Sequence, residues 1–386
     1  MGSRPVRLRR GFLRALYGVA VAFAMAGLLE WVARALNPFG YVRSDSRELV
    51  YELRPAWRGE HNADGLRGHR HPRRKPTGSF RVLGLGDSYS YGAGVRARET
   101  FLAVTERILA ADTGGAEVLN LGVPGYNTAM EAARLERALP TWRPDLAVVQ
   151  FCRNDTNLPN FVWTARRGLL AHSYALHQLL WPLARYWPDL WKRRVMGYRL
   201  GGGIFPIPGL EHVPLEDSNP IGDPERAPPE YRYMLGERGV RAALARIAAL
   251  GRRNGLPVIL LVGWGGYDQD ATAWGRAAGL EVLDVWPAIS AHLAQRGRRF
   301  ETLWVRPPSD NHPNVEAHAL LGRLLAEAIA PHRAWARSAA DARAGGEVEV
   351  GPARGGVQRD DALGRERPEL GPAVVRNHEE LVVGRE

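Results

Sequence analysis

The feature that most constrains this chain is a short apolar run, Val82-Leu83-Gly84-Leu85, that stops abruptly at Gly86-Asp87-Ser88. A strand buried on both faces reads as such a run, and strands of that kind belong to parallel sheets covered by helices. In open α/β sheets the crevice beyond the carboxyl ends of the strands is where ligands bind. The run therefore calls for a two-sided α/β fold and sets Ser88 where a nucleophile would stand.

The rest of the chain keeps the same rhythm. After the first strand the pattern predicts a helix over 99–110, a strand at 118–121, a helix over 128–139 and a strand at 146–151. It continues with a helix over 239–253, strands at 257–262 and 281–285, and a helix over 315–329. Alternation of this kind predicts a central parallel sheet with helices on both faces and right-handed crossovers. The expected fold is a flavodoxin-like three-layer α/β/α sandwich.

Three further segments, each placed after a predicted strand, carry the other groups that acyl transfer needs. They are Asn120-Leu-Gly-Val-Pro-Gly125, Phe151-Cys-Arg-Asn154-Asp155 and Ser309-Asp310-Asn311-His312-Pro313. With Gly86-Asp87-Ser88 they resemble, in order, the blocks of the SGNH (GDSL-type) hydrolase superfamily. The resemblance covers residues 81–330. A segment at Asn62-Ala-Asp-Gly-Leu-Arg67 further resembles one found just upstream of the domain in membrane-anchored bacterial members.

The resemblance implies an ester hydrolase with Ser88 as nucleophile, His312 and Asp310 as base and orienter, and Ser88, Gly125 and Asn154 as oxyanion donors. Asp87 and Asp155 stand beside these groups as supporting residues. The chain departs from the family pattern twice. Cys152 replaces the glycine of the third block, and Asp310 lies two residues before His312, where the pattern has an acid three before and this chain has Ser309.

The chemistry asks for these residue types. A serine hydroxyl is a weak nucleophile until a base takes its proton, and a histidine must be held in one tautomer to do so. Preorganised N–H donors then stabilise the negative charge that develops on the carbonyl oxygen. Each residue alone has a plainer reading: Pro124-Gly125 as a turn, Asn154-Asp155 as a cap, His312 as the boundary of the helix that follows. Their joint occurrence in order at strand ends favours the site. His318 lies six residues beyond His312 and six positions on a helix turn to another face, so it reads as structural.

Other chemistries find less support. His61, His69 and His71 lie in a polar stretch without familiar metal-ligand spacing, and Cys152 is the single cysteine, so no metal is expected. No phosphate-binding glycine loop or dinucleotide fingerprint occurs, so no cofactor is expected. The net charge of +11 suggests nucleic acid at first sight. It is better explained locally, by basic residues at the N-terminus and a second cluster at Arg67, Arg70, Arg73, Arg74 and Lys75, which reads as solvated surface.

At the N-terminus, Arg4, Arg7, Arg9, Arg10 and Arg14 precede an apolar stretch from Ala15 to Leu29. An arginine flank on one side of an apolar helix is the positive-inside pattern. Residues 1–36 are read as a cytoplasmic tip and an uncleaved membrane anchor, with Ala33-Arg34-Ala35 as the rival cleavage site. The catalytic domain would then face the periplasm or exterior. Residues 37–79 read as a polar stalk, 80–335 as the hydrolase domain and 336–386 as a disordered charged tail.

An aromatic-rich excursion at 156–238 leaves directly after Asn154-Asp155 and can overhang the site. Trp163, Tyr174, Trp181, Tyr186, Trp187 and Trp191 could line a sugar or acyl pocket, or form a small core of their own. The expected activity is a short-chain O-acyl esterase working through an acyl-enzyme, on a small molecule or a cell-envelope polysaccharide. An O-acyltransferase with the same site and a non-catalytic glycan-binding or assembly module are the alternatives.

Overall fold

The arginine flank and the apolar stretch fold into one helix, Arg4–Ala35 (α1). The segment Gly11–Ala35 spans 25 residues at a mean hydropathy of 1.9, long and apolar enough to cross a bilayer. The computed structural model describes residues 4–37, 40–111, 115–163, 173–179, 207, 209–213, 227–266 and 268–345. The chain divides into units of residues 1–340 and 341–386, and the second is described only over 341–345. The last turns of α1 meet the aromatic excursion. Ser173 Oγ and the Tyr174 and Ala175 N–H groups donate to Glu30 at 2.8–3.1 Å, and Gln178 Nε2 donates to the Ala33 carbonyl at 2.8 Å.

Strands Tyr41–Arg43 (β1) and Tyr51–Leu53 (β2) pair as an antiparallel hairpin. The main sheet begins with Phe80–Leu85 (β3), Ala116–Asn120 (β4) and Leu146–Gln150 (β5). Phe161–Trp163 (β6) and Leu210–His212 (β7) pair with each other apart from it. Val258–Val262 (β8) and Glu281–Asp284 (β9) complete it in the order β4-β3-β5-β8-β9, with every pairing parallel. This is the flavodoxin-like order, and its switch point lies between β3 and β5.

Alternating side chains feed two cores. Leu83, Leu85, Ala147, Val149, Leu260 and Val262 face helices Thr128–Trp142 and Gly236–Arg253. Val82, Val148, Ile259 and Leu261 face the opposite way, toward helices Phe101–Ala111, Trp286–Ala294 and Val315–Gly345. Period-two alternation with apolar residues on both sides makes the sheet a middle layer. With the short helix Ser88–Tyr91 and the helix Gln269–Ala277, these helices are α2 (Ser88–Tyr91), α3 (Phe101–Ala111), α4 (Thr128–Trp142), α5 (Gly236–Arg253), α6 (Gln269–Ala277), α7 (Trp286–Ala294) and α8 (Val315–Gly345).

Strand positions agree with the sequence pattern to within a residue or two. Helices α6 and α7 go beyond it, since each has nine residues, too few for an apolar period to stand out. Helix α8 continues to Gly345, past the start of the stretch read as a tail. Residues 346–386 lie outside the described residues, as do Trp181, Tyr186, Trp187 and Trp191. Trp163 is half-buried, with Arg43 over its ring at 4.8 Å.

The segment 37–79 buries more than a polar stalk would. Leu49, Val50, Tyr51 and Leu53 form a third cluster with Tyr126, Met130, Phe161, Leu210 and Tyr231. Its basic residues are also engaged. Arg67 is buried, pairs with Glu60, donates to the carbonyls of Tyr91 and Val95, and lies over the Tyr91 ring. Arg70 and Arg73 pair with Asp64, and Lys75 pairs with Asp145. Arg67 thus departs from the solvated surface expected of this cluster, because the segment folds back on the chain.

His318 is fully buried in α8, accepts the Phe101 N–H at 3.1 Å through Nδ1 and stacks on the Phe101 ring. Burial, with the nearby His312, lowers it to about 3. A base held below its unfolded value favours the folded state above that unfolded value, near 6.5, and loses this contribution as pH falls toward 3. Asp87, Glu131 and Asp155 are raised by burial and work in the opposite sense. We therefore expect His318→Gln to lessen the acid sensitivity of the fold. Between pH 6 and 4 the parent should lose about 1.4 kcal/mol per pH unit relative to the variant, read from urea midpoints. Parallel pH curves for the two proteins would contradict this.

Candidate active site

Strand β3 delivers its chain to Gly86, whose φ of +151° and absent side chain allow the turn; a Cβ there would lie 2.2 Å from Ser90 Oγ and 2.9 Å from Gln150 Oε1. Asp87 caps α2 by accepting the Tyr89 N–H at 2.9 Å. Ser88 is the first residue of that helix, half-buried at the switch point of the sheet.

His312 arrives from a different direction. Strands Trp304–Arg306 (β10) and Asp310–Pro313 (β11) form a hairpin after α7, apart from the main sheet. On an extended strand, residues two apart share a face. The acid two places before His312 is therefore on the correct side of the chain. Asp310 Oδ1 accepts the His312 ring Nδ1–H at 2.6 Å and its backbone N–H at 3.1 Å. Ser309, the residue at the family's usual acid position, instead donates to the Arg306 carbonyl within the hairpin loop.

With Nδ1–H given to Asp310, His312 Nε2 accepts the Ser88 hydroxyl at 2.9 Å. Partial burial works to raise the Asp310 carboxyl, but the hydrogen bonds from His312 outweigh it and hold it below its ordinary value. The acid is thus ionised at neutral pH and suited to stabilise a protonated imidazole. Tyr89 sets its ring edge-to-face against His312 at 5.3 Å and against Trp264 at 6.2 Å, forming an aromatic wall beside the base.

The donor groups come from the neighbouring strand ends. Gly125 follows β4, with φ at +78°, and a Cβ there would fall 2.1 Å from Asn160 Cγ. Tyr51 Oη donates to the Pro124 carbonyl at 2.8 Å and so steadies this turn from the β1–β2 hairpin. Asn154 follows β5, and its Nδ2 donates to Asp87 Oδ2 at 2.9 Å, the oxygen that the Ser88 hydroxyl approaches at 3.3 Å. Among the described residues neither the Ser88 N–H nor the Gly125 N–H has a protein acceptor. The structure thus brings Ser88, His312, Asp310, Asp87 and Asn154 into one linked group.

Behind the site lies a set of acids. Asp155 is buried, and its Oδ2 accepts the Thr128 hydroxyl at 3.1 Å and the Cys152 N–H at 3.2 Å. Glu131 on α4 is also buried, and among the described residues neither of its carboxylate oxygens has a hydrogen-bond partner. Burial, reinforced by the charge of Asp87 and, for Glu131, of Asp155 as well, pushes both acids well above the ordinary range. Cys152, in the place of the family's glycine, is half-buried; burial and the charges of Asp87 and Asp155 raise its thiol, so it is a poor nucleophile. Glu131 and Tyr89 were not singled out in the sequence, because a lone glutamate in a helix and a tyrosine after a serine give no pattern of their own.

A strand-end serine linked through histidine to an acid is an arrangement that can carry acyl transfer. The chain belongs to the GDSL-like Lipase/Acylhydrolase family, whose model matches residues 85–320. It is an SGNH-type hydrolase and a carboxylic ester hydrolase, acting on an acylated substrate. Among solved structures, the chain is similar to TesA, at 15% identity over 65% of this chain and 99% of that one, with a TM-score of 0.33. It is also similar to Axe2, an acetylxylan esterase from Geobacillus stearothermophilus, at 15% identity over 65% and 94% of the chains, with a TM-score of 0.37. No curated protein matches it.

Proposed function

We propose that the protein is a serine esterase that removes small O-acyl groups through an acyl-enzyme on Ser88. Ser88 Oγ attacks the ester carbonyl while His312 Nε2 takes its proton. The tetrahedral adduct expels the alcohol, which receives that proton, and water activated by His312 then releases the acid. Asp310 holds the imidazole. The N–H groups of Ser88 and Gly125 and the amide of Asn154 bind the developing oxyanion, with Asp87 orienting that amide.

The observation that carries this reading is the relay of 2.9 and 2.6 Å from Ser88 through His312 to Asp310. The aromatic wall of Tyr89 and Trp264 beside His312 and the Asn160 side chain against Gly125 support the reading of an acetyl-sized group. An acetylated cell-envelope polysaccharide is the proposed substrate. Helix α1 is proposed to remain as an anchor, its arginine-rich end in the cytoplasm and the site outside, because its last turns hold the aromatic excursion through Glu30 and Ala33.

The test is hydrolysis of p-nitrophenyl acetate, butyrate and octanoate by the full chain in detergent. Turnover should be greatest with acetate and fall by at least about tenfold at octanoate, since a pocket that cannot seat added methylenes loses roughly 1–3 kcal/mol of transition-state binding. Equal or greater turnover of octanoate would reject the small acyl group. Absence of turnover on all three by folded protein would reject the esterase reading.

A further inference from the structure

The end of the sheet away from Ser88 carries a second group of chemically competent side chains. His69 and His71 lie on the segment that precedes β3, Glu106 lies on α3, and Glu117 lies on β4, where it pairs in register with Arg81 near the start of β3. Their atoms converge. His69 Nε2 lies 3.6 Å from Glu106 Oε2, and His71 Nδ1 lies 3.7 Å from Glu106 Oε1 and 3.8 Å from Glu117 Oε1. The ligand atoms of His69, His71 and Glu106 all fall within 4.8 Å of one another.

These separations are too long for hydrogen bonds, and among the described residues neither imidazole makes one through its ring. Yet His71 is only 6% exposed. A tetrahedral zinc site with bonds of about 2.0–2.1 Å has ligand-to-ligand edges of about 3.3–3.4 Å, so the His–Glu distances of 3.6 and 3.7 Å need to shorten by a few tenths of an ångström, and the widest separation, within 4.8 Å, by up to about 1.5 Å.

The surroundings fit a built site. Arg81 is fully buried and committed elsewhere: it donates to Glu117 Oε2 at 2.8 and 3.0 Å and to the carbonyls of Pro72, Arg73 and Trp142. Those bonds fix the chain directly after His71. Glu106 Oε1 accepts the Val118 N–H at 3.2 Å, and Asn62 Nδ2 donates to the His69 carbonyl at 2.8 Å. His69 is exposed and gives the cluster a route to solvent.

We propose that His69, His71 and Glu106 form a binding site for a divalent cation of the zinc class, with Glu117 Oε1 or water as fourth ligand. Two imidazoles and a carboxylate suit zinc over magnesium or calcium, which prefer oxygen alone. The site staples residues 69–71 to α3 and β4, and it is independent of Ser88. The sequence pattern gave no hint of it because the third ligand comes from another element.

The test is zinc binding to untagged full chain in detergent after chelator treatment, by titration calorimetry and thermal unfolding. The parent should take up one equivalent, and zinc at a hundred times its Kd should raise Tm by about 5 °C or more. His71→Ala, the surface variant His69→Ala and the near-isosteric Glu106→Gln should each weaken binding at least tenfold and abolish the Tm rise, while His312→Ala should bind like the parent. No uptake by the parent overturns the proposal, as does parent-like binding in His69→Ala and Glu106→Gln, or loss of binding in His312→Ala alone.

Discussion

Replacing Ser88 by alanine is expected to lower kcat for ester hydrolysis by at least about 10⁴-fold while the protein stays folded. On the proposed mechanism the Ser88 hydroxyl forms the acyl-enzyme, and among the described residues it approaches His312 at 2.9 Å and Asp87 at 3.3 Å. Ser88 is half-buried at the first turn of a short helix that Asp87 caps, so removing one oxygen leaves the packing intact. His312→Ala should fall to the same level, and the double variant no further, because the two act as one unit. Asp310→Ala should retain more, by about a hundredfold, since a histidine that has lost its orienter still visits the productive tautomer. Kinetics on p-nitrophenyl acetate with circular dichroism alongside reads all four. Turnover by Ser88→Ala above roughly one per cent of the parent would remove Ser88 from the mechanism.

The second large effect is expected at Asn154. Its amide carries two N–H groups, and Asp87 holds one of them at 2.9 Å. On the proposed mechanism the other meets the oxyanion, and a single preorganised donor of this kind contributes about 10²–10³ in kcat. Asn154→Ala should show that loss in kcat with KM changed little, because the donor is used in the transition state and not in the ground state. Asn154→Asp should be at least as poor, since it replaces a donor by a charge beside Asp87. A loss below about fivefold would show that the Asn154 side chain serves only to bind Asp87.

The parts of this protein that could be read in advance share a cause. Strands β3, β5 and β8 are buried on both faces, so their runs are apolar apart from Arg81 and Gln150, and the polar residues that follow mark their ends. Ser88 and Asn154 drew notice as candidates because they stand three and four residues beyond the ends of β3 and β5. Asp310 looked displaced in sequence, yet the extended backbone of β11 puts residues two apart on one side, which a count of positions does not convey. The hairpin β1–β2 was hidden by the arginines and prolines around it, although Tyr51 and Leu53 are core residues. Glu131 was hidden for a different reason. A buried acid in α4 has the same one-letter context as a solvated one, and only the packing of Asp155 and Asp87 nearby reveals it.

The distance in the chain between Ser88 and His312 has a consequence in time. The two residues are 224 positions apart, joined only when the β10–β11 hairpin docks. A chain made from its N-terminus exposes Ser88 long before the base exists, and during that interval the hydroxyl is inert. The relay from Ser88 through His312 to Asp310 forms only once β11 has been made and docked. Fragments that end before Asp310 lack that relay and are expected to be silent in ester hydrolysis.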